Sequence, residues 1–134
     1  MLKIILIRSL RIYQPQFERS GSLHNLSKLH LFESLIEQNF TRTKSVKDYA
    51  KIMNLSPNYL NAISSACIGK SAGEMIRDRI ILETKRLLAH SSLSICEMSY
   101  KLGFDDCSYF IRIFKKAVGF TPEQFRKSVL ERNN

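Results

Sequence analysis

The chain lacks the cysteine and histidine patterns that hold metal ions or a disulfide framework. Cys67, Cys96 and Cys107 form no Cys-x-x-Cys pair and are odd in number, which predicts free thiols in a reducing compartment. The histidines have no metal-ligand spacing, since His24 and His30 lie six residues apart and do not share a helix face. We therefore expect no metal and no cofactor.

Long apolar runs and catalytic patterns are missing as well. No segment offers about 18 uninterrupted apolar residues, so we expect no membrane-spanning helix and no membrane partner. Residues 1–7 are apolar apart from one lysine, but no small-residue cleavage site follows them, so we do not interpret them as a signal peptide. Because the sequence has no nucleophile–base pair at suggestive spacing and no glycine-rich phosphate loop, we do not expect an enzyme.

Acidic residues are outnumbered by basic ones. The 134 residues include 21 Lys and Arg against 12 Asp and Glu, which gives a formal net charge of +9. This excess favours a polyanionic partner, nucleic acid first and an anionic membrane surface second. The length fits one domain or two very small ones, and the 44% of hydrophobic residues suffices for a core.

Part of the chain repeats itself, and this repeat is its most informative feature. The second copy follows the first after 49 or 50 positions. The matching residues of the first copy are Ser45, Val46, Asp48, Ala50, Tyr59, Leu60, Ile63, Gly69 and Ser71. Their counterparts, in the same order, are Ser94, Ile95, Glu97, Ser99, Tyr109, Phe110, Ile113, Gly119 and Thr121. Two copies are too few for a solenoid. They suit two short helical units that contact DNA twice.

Capping motifs and apolar periodicity predict an all-α fold. Pairs of the capping-box type recur at residues 45–48, 71–74, 94–97 and 121–124, and Gly69 and Gly119 stand where helices should end. The predicted helices cover residues 2–13, 23–39, 46–53, 57–67, 72–89, 95–102, 106–118 and 122–131. Residues 14–21 are predicted as a linker, and the apolar run 2–7 also fits a short buried strand.

Each repeat has the pattern of a helix-turn-helix, whose second helix enters the major groove of DNA. We place the first unit at about residues 46–67 and the second unit at about residues 95–118, with recognition helices at about 57–67 and 106–118. A small residue is needed where the two helices of each unit cross, and Ala50 and Ser99 fit this position. Leu55 and Phe104 fit the apolar position in the turn. Leu60, Ile63, Phe110, Ile113 and Phe114 would face the core at helical spacing. The outward positions are then Pro57, Asn58, Asn61, Cys107, Ser108, Ile111 and Arg112, of which Asn pairs with adenine and Arg with guanine.

A connector helix over about residues 72–89 joins the two units. Eighteen helical residues span roughly 27 Å, which is close to the roughly 34 Å between neighbouring major grooves on one face of DNA. Its predicted core stripe consists of Ile76, Ile80, Thr84, Leu87 and Leu88. Three cations lie off this stripe: Arg77, Lys85 and Arg86. Contact with DNA phosphates and a contribution to solubility are equally good explanations for these charges.

Residues about 32–128 resemble the DNA-binding domain of the AraC/XylS family of bacterial transcription regulators. The strongest motifs are Leu93–Met98, Gly103-Phe104, Ser108-Tyr109-Phe110, Arg112, Phe114-Lys115-Lys116, Gly119, Thr121-Pro122 and Phe125-Arg126. The resemblance implies two helix-turn-helix units bridged by one long helix. It also implies sequence-specific binding of double-stranded DNA in successive major grooves. The DNA-binding residues that we expect are Asn58, Asn61, Ala62, Cys107, Ser108, Ile111, Arg112, Lys115 and Lys116.

The first recognition helix departs from the family pattern. The family usually has Arg at the position of Ala62, Phe at that of Ser64 and Lys at that of Ser65, so the first unit has lost two cations and a core aromatic. We therefore expect it to bind weakly, to read apolar features such as a thymine methyl, or to serve mainly as a scaffold. Thr84 stands where the family favours Ala, and Ile111 where it often has Ser or Thr.

In this interpretation residues 1–21 are an N-terminal helix and linker, and residues 22–134 are the DNA-binding domain. Residues 2–13 are too apolar for a lone surface helix. We interpret them as the remnant of a sensing or dimerisation domain, with a core helix of the same domain as the alternative. The expected partners are double-stranded DNA, RNA polymerase and a second copy bound through residues 2–13, in the bacterial cytoplasm at the nucleoid.

Two other functions stay open. A helical protein-interaction module would bind DNA only weakly or non-specifically. Redox sensing through Cys107 on the DNA-facing helix ranks third, because a lone cysteine is usually a small apolar filler.

Overall fold

Seven helices make up the part of the chain that the structure describes. The structure is a computed structural model that describes the backbone of residues 16–133 and the side chains of residues 23–132. The helices are α1 (Gln16–Asn39), α2 (Val46–Ile52), α3 (Pro57–Ile68), α4 (Ala72–His90), α5 (Ile95–Lys101), α6 (Cys107–Val118) and α7 (Pro122–Asn133). No strand occurs among the described residues, and the all-α prediction is confirmed.

The N-terminal boundary differs from the prediction. Helix α1 begins at Gln16, so the linker predicted for residues 14–21 is wrong from Gln16 onward. Gly21 suggested a break, but one glycine costs a helix only about 1 kcal/mol, and burial of residues such as Phe32 further along α1 offsets that cost. The helix predicted for residues 2–13 lies outside the described residues.

Caps form at the predicted helix starts. Ser71 Oγ accepts a hydrogen bond from the N–H of Glu74 at 3.1 Å, and Glu74 Oε1 accepts one from the N–H of Ser71 at 3.0 Å. Such reciprocal pairs satisfy backbone donors that the first turn leaves without a partner. The same reciprocal pair starts α5 at residues 94–97 and α7 at residues 121–124. Gly69 and Gly119 end α3 and α6 with positive φ values of 72° and 96°.

One continuous core joins the two units through α4. The connector contributes its whole predicted stripe, since Ile76, Ile80, Thr84, Leu87 and Leu88 are all buried. Thr84 donates its hydroxyl to the carbonyl oxygen of Ile80 at 2.7 Å, so this polar group is satisfied although it lies in the core. The 19 residues of α4 span about 28 Å, which makes α4 a stiff spacer between the units.

Helix α7 fixes the second unit to the end of α4. The guanidinium of Arg126 donates to the carbonyl oxygens of Leu93 at 2.6 Å, Leu88 at 3.2 Å, Ser91 at 3.3 Å and Leu87 at 3.5 Å. Those of Leu87 and Leu88 belong to the last turn of α4, and the carbonyl oxygen of Leu87 also accepts the N–H of the C-cap residue Ser91 at 3.0 Å. One half-buried side chain therefore caps the connector and attaches the second unit to it.

Candidate nucleic-acid interface

The two units make the same turn. In the first unit, formed by α2 and α3, the N–H of Leu55 donates to the carbonyl oxygen of Ala50 at 2.8 Å. In the second unit, formed by α5 and α6, the N–H of Phe104 donates to that of Ser99 at 2.9 Å. Ala50 and Ser99 are both fully buried, as a close helix crossing requires. The predicted small and turn positions are therefore confirmed.

The outer face of α6 is cationic. Arg112, Lys115 and Lys116 are exposed, whereas Phe114 on the opposite face is fully buried. The guanidinium carbon of Arg112 lies 5.8 Å from the centre of the Tyr109 ring, a cation–π contact that helps to orient it. Helix α6 is thus anchored by its apolar face and presents three cations to solvent.

The start of α6 agrees with the prediction at one position and differs at another. Ser108 is exposed, and its N–H donates to Oδ1 of the N-cap residue Asp106 at 2.9 Å. Ile111, which was predicted to point outward, is half-buried and packs against the core. That prediction is wrong because Ile111 lies at the edge of the apolar face beside Phe110 and Phe114, where burying its side chain is favourable.

Helix α3 carries no charged residue between Pro57 and Ile68. Asn58 and Ala62 are exposed, as predicted. Asn61 is half-buried, and its Oδ1 accepts a hydrogen bond from the N–H of Ala72, the first residue of α4, at 2.8 Å. Its predicted outward orientation is therefore wrong, because the unpaired donor at the start of the connector recruits this side chain.

Cys96 and Cys107 are joined by a disulfide. The prediction of free thiols is wrong for these two residues, and Cys107 does not present a free outward side chain at the start of α6. Cysteines separated by 11 positions fit no sequence motif, but the turn between α5 and α6 brings their Cα atoms to 5.2 Å. This distance lies in the range that a disulfide bridges.

Two of the three cations that lie off the core stripe of the connector, Arg86 and Lys85, have partners within the protein, and the third, Arg77, lines a cleft. Arg86 forms a bidentate pair with Glu83, at 3.0 and 2.6 Å, which holds the pKa of Glu83 below its ordinary value. Lys85 Nζ lies 5.8 Å from the centre of the Phe125 ring. Arg77 is exposed and lines a cleft of about 450 Å³ between α4 and the second unit. Of the three cations, Arg77 is the one at a cleft beside a recognition helix.

Lys44, which no sequence motif predicted, also lines this cleft. Its Nζ donates to the carbonyl oxygen of Thr41 at 3.2 Å and lies 4.9 Å from the centre of the Phe104 ring. Burial lowers the pKa of Lys44, and the nearby carboxylate of Asp105 opposes that shift. The residue precedes the first unit in sequence but contacts the turn of the second, so no local motif marks it.

The turn of the second unit docks against the segment between α1 and α2. Gly103 has a φ of 90°, and a Cβ atom added there would collide with the carbonyl oxygen of Thr41. The equivalent turn residue of the first unit is Asn54, with a φ of 59°, a conformation that Asn tolerates. Close approach therefore requires glycine in the second unit, and this contact helps to fix how the two units are oriented.

Neither a membrane span nor a metal cluster occurs in the described part of the chain. There, no helix has the length and apolarity needed to cross a bilayer. No group of three His, Cys, Asp or Glu side chains within the same residues could hold a metal ion. The feature that suits a polyanion is the exposed cationic face of α6.

Comparison with known proteins places these features in a family. A helix-turn-helix domain family matches residues 49–128. The chain is 33% identical over 97 residues to the Msm operon regulatory protein of Streptococcus mutans, which covers 72% of this chain and 35% of that protein. It is 30% identical over 105 residues to the arabinose operon regulatory protein of Escherichia coli, which covers 78% of this chain and 35% of that protein.

A solved structure has the same architecture. The C-terminal domain of AraT, a response regulator from Geobacillus stearothermophilus, superposes with a TM-score of 0.70 at 27% identity, over 74% of this chain and 83% of that chain. The chain spans about a third of the length of the two curated regulators. The fold expected from the sequence motifs, two helix-turn-helix units bridged by one helix, is confirmed.

Proposed function

Because this chain belongs to the AraC-type helix-turn-helix family of bacterial transcription regulators, we propose that α3 and α6 enter successive major grooves of one DNA duplex. Sequence-specific DNA binding is the function of this domain type. We further propose a division of labour between the two helices. The second unit supplies most of the affinity and base discrimination, and the first unit acts mainly as a scaffold that sets register.

The observation that carries this proposal is the charge difference between the two recognition helices. Helix α6 exposes Arg112, Lys115 and Lys116, while α3 has no charged residue at all. Arg112 is suited to bidentate pairing with guanine, and the two lysines are suited to phosphate contacts, which fix position without reading sequence. Ser108 lies at the exposed start of α6, and its hydroxyl is suited to a hydrogen bond with either a base edge or a phosphate.

In the first unit the proposed contacts are weaker. Asn58 is exposed near the start of α3 and supplies an amide suited to adenine. Ala62 offers only a methyl group, which suits a thymine methyl. Asn61, Cys107 and Ile111 were expected among the DNA contacts, but their observed partners lie within the protein. We assign these three the role of positioning the helices that carry the contacts.

The whole regulator's partners are proposals of a different kind, because the chain spans about a third of its curated relatives. We propose RNA polymerase as a further partner of the whole regulator, and the bacterial cytoplasm at the nucleoid as its location. Self-association through residues 2–13 concerns a segment outside the described residues and stays a prediction. The competing function, a protein-interaction module, predicts DNA binding that is weak and indifferent to sequence.

Selection of duplexes from a random library, followed by fluorescence anisotropy across a salt series, tests the proposal. We expect one enriched sequence class, and a slope of log K against log[salt] of about −0.9 for each phosphate neutralised. Enrichment of no sequence, with equal affinity for selected and random duplexes, would favour the protein-interaction module. A DNA affinity that does not change with salt concentration would contradict binding through Lys and Arg.

A further inference from the structure

The disulfide of the second unit closes its helix-turn-helix turn at the protein surface. Cys96 lies near the start of α5, and Cys107 is the first residue of α6. Cys96 is exposed and Cys107 is half-buried, so the bond lies outside the fully buried core. Solvent-borne oxidants and reductants can therefore approach the pair from the side of Cys96, the more exposed of the two residues.

The first unit makes the same turn without such a bond. The repeat places Lys47 and Pro57 at the positions of Cys96 and Cys107, yet α2 and α3 close with the backbone hydrogen bond that α5 and α6 also form. The second unit has its own apolar anchor, since Phe114 is fully buried. Since the first unit closes without a cysteine pair, we expect the second unit to stay folded when its disulfide is broken.

We propose that Cys96 and Cys107 form a redox-active thiol pair that is oxidised by hydroperoxides, and that the disulfide form binds DNA more tightly than the dithiol form. The inference rests on the proposed DNA-binding function. Where a compartment keeps thiols reduced, an exposed disulfide is transient and reports on oxidants. The pair thereby makes the affinity of the second unit depend on redox conditions.

The oxidation balances with a hydroperoxide as the two-electron acceptor. The thiolate of one cysteine attacks a peroxide oxygen, the O–O bond breaks, and an alcohol (water, for hydrogen peroxide) leaves while a sulfenic acid forms. The second thiolate attacks that sulfur, the S–O bond breaks, water leaves and the S–S bond forms. Both thiol protons end in these leaving molecules, and exchange with an external dithiol reverses the reaction.

The position of the bond explains its expected effect on DNA binding. Cys107 directly precedes Ser108 and lies five residues before Arg112, so the bond ties the end of α6 that carries the proposed contacts to α5. Holding a binding element in its bound geometry reduces the entropy lost on association. We expect oxidised protein to bind about three- to tenfold more tightly than reduced protein.

The test compares the full chain with Cys96→Ser and Cys67→Ser, each treated with hydrogen peroxide or with excess dithiothreitol. Affinity for one selected duplex is measured by anisotropy, and non-reducing tryptic digests are analysed by mass spectrometry. Oxidised wild type should contain residues 87–101 linked to residues 102–112 and should bind more tightly than its reduced form. Cys96→Ser should bind like reduced wild type under both treatments, and Cys67→Ser should keep the wild-type response.

Each other outcome overturns the inference in a recognisable way. A missing linked peptide after peroxide treatment would refute the thiol pair itself. A linked peptide with equal affinity in both states would refute the coupling to DNA binding. Loss of the response in Cys67→Ser, with Cys96→Ser still responsive, would assign the effect to a different cysteine. Failure of every form to bind DNA would refute the proposed function together with the coupling, whereas binding that ignores redox state would refute this inference alone.

Discussion

The first and second units share a skeleton and differ on the surface that their recognition helices present. Both turns close with the same backbone hydrogen bond, and both bury a small residue at the helix crossing. Helix α3 nevertheless carries no charge, whereas α6 exposes three cations. The 50-residue repeat aligns each cation with a small neutral residue, Arg112 with Ala62, Lys115 with Ser65 and Lys116 with Ala66.

Their interiors differ as well. Ser64 is fully buried at the position where the second unit buries Phe114. The first unit instead buries Tyr49 of α2, whose ring centre lies 5.5 Å from that of Phe32 in α1 with the rings nearly perpendicular. The Tyr49 hydroxyl donates to the carbonyl oxygen of Thr43 at 2.7 Å. An aromatic supplied by α2 and packed on α1 thus anchors the first unit where its recognition helix has none.

The comparison teaches that two layers of information are separable in this fold. Caps, the small crossing residue and the turn hydrogen bond specify the helix-turn-helix and are present in both copies. The outer face of the recognition helix is independent of them, because α3 keeps the geometry while lacking every cation of α6. We therefore expect differences in DNA binding between the two units to follow from the outer faces of their recognition helices.

The largest expected effect concerns the docking of the second turn against Thr41. Gly103→Ala should reduce the free energy of unfolding by about 3 kcal/mol or more, from left-handed strain together with the collision against Thr41. Gly119→Ala is the matched control, since its φ of 96° imposes similar strain while no atom lies within 4 Å of the added Cβ. It should cost about 1–2 kcal/mol. Urea denaturation measures both, and equal losses would show that the docking contact is energetically unimportant.

The second effect concerns how each unit is attached to the connector. The repeat aligns Arg126 with Ile76. At this position the second unit has an arginine that donates hydrogen bonds to carbonyl groups, whereas the first unit has an isoleucine that is buried in the core. Arg126→Met keeps the aliphatic stem and should lower the free energy of unfolding by about 2–3 kcal/mol, because partly buried acceptors lose a charged donor. Lys127→Met removes a charge from an exposed neighbour on α7 and should change stability by less than about 0.5 kcal/mol. If both variants are equally stable, the hydrogen bonds from Arg126 to the carbonyl groups contribute nothing to the free energy of unfolding beyond the effect of removing one charge.

The smallest effect is a gain rather than a loss. Ala62→Arg gives the first unit the residue that the second has at Arg112, at a position exposed to solvent. DNA affinity should rise about three- to tenfold near 100 mM salt, and the salt slope should steepen by about 0.9 if one phosphate is contacted. Ala62→Gln, which adds length without charge, serves as the control. Unchanged binding by Ala62→Arg would mean that α3 does not approach DNA closely.

Much of this architecture was predictable because its signals are local. Capping pairs such as Ser71 and Glu74 and the periodic stripe of α4 act within one or two helical turns, so the helix order and the connector core follow from sequence. The family resemblance added the expectation of two recognition helices. The exposure of Arg112, Lys115 and Lys116 also follows, because they lie opposite the buried Phe114 on one amphipathic helix.

Most of the features that sequence reasoning missed depend on contacts between different helices or loops. Asn61 turns inward because the start of α4, 11 residues later, needs an acceptor. Lys44 and Thr41 meet the turn at Gly103 only after the whole domain folds. Cys96 and Cys107 pair because α5 and α6 fold back on each other. Helix α1 extends to Gln16 because a single glycine is a weak breaker inside a long helix.

The most direct test of the central claim, that the second unit dominates DNA binding, compares Arg112→Ala with Asn58→Ala on the selected duplex by fluorescence anisotropy. Circular dichroism on each variant checks that both remain folded. Arg112→Ala should lose about 1–3 kcal/mol of binding free energy, as expected for a base-pairing arginine. Asn58→Ala should lose less than about 0.7 kcal/mol of binding free energy, because we expect the uncharged helix α3 to contribute little to affinity. A larger loss for Asn58→Ala than for Arg112→Ala would contradict the ranking of the two units.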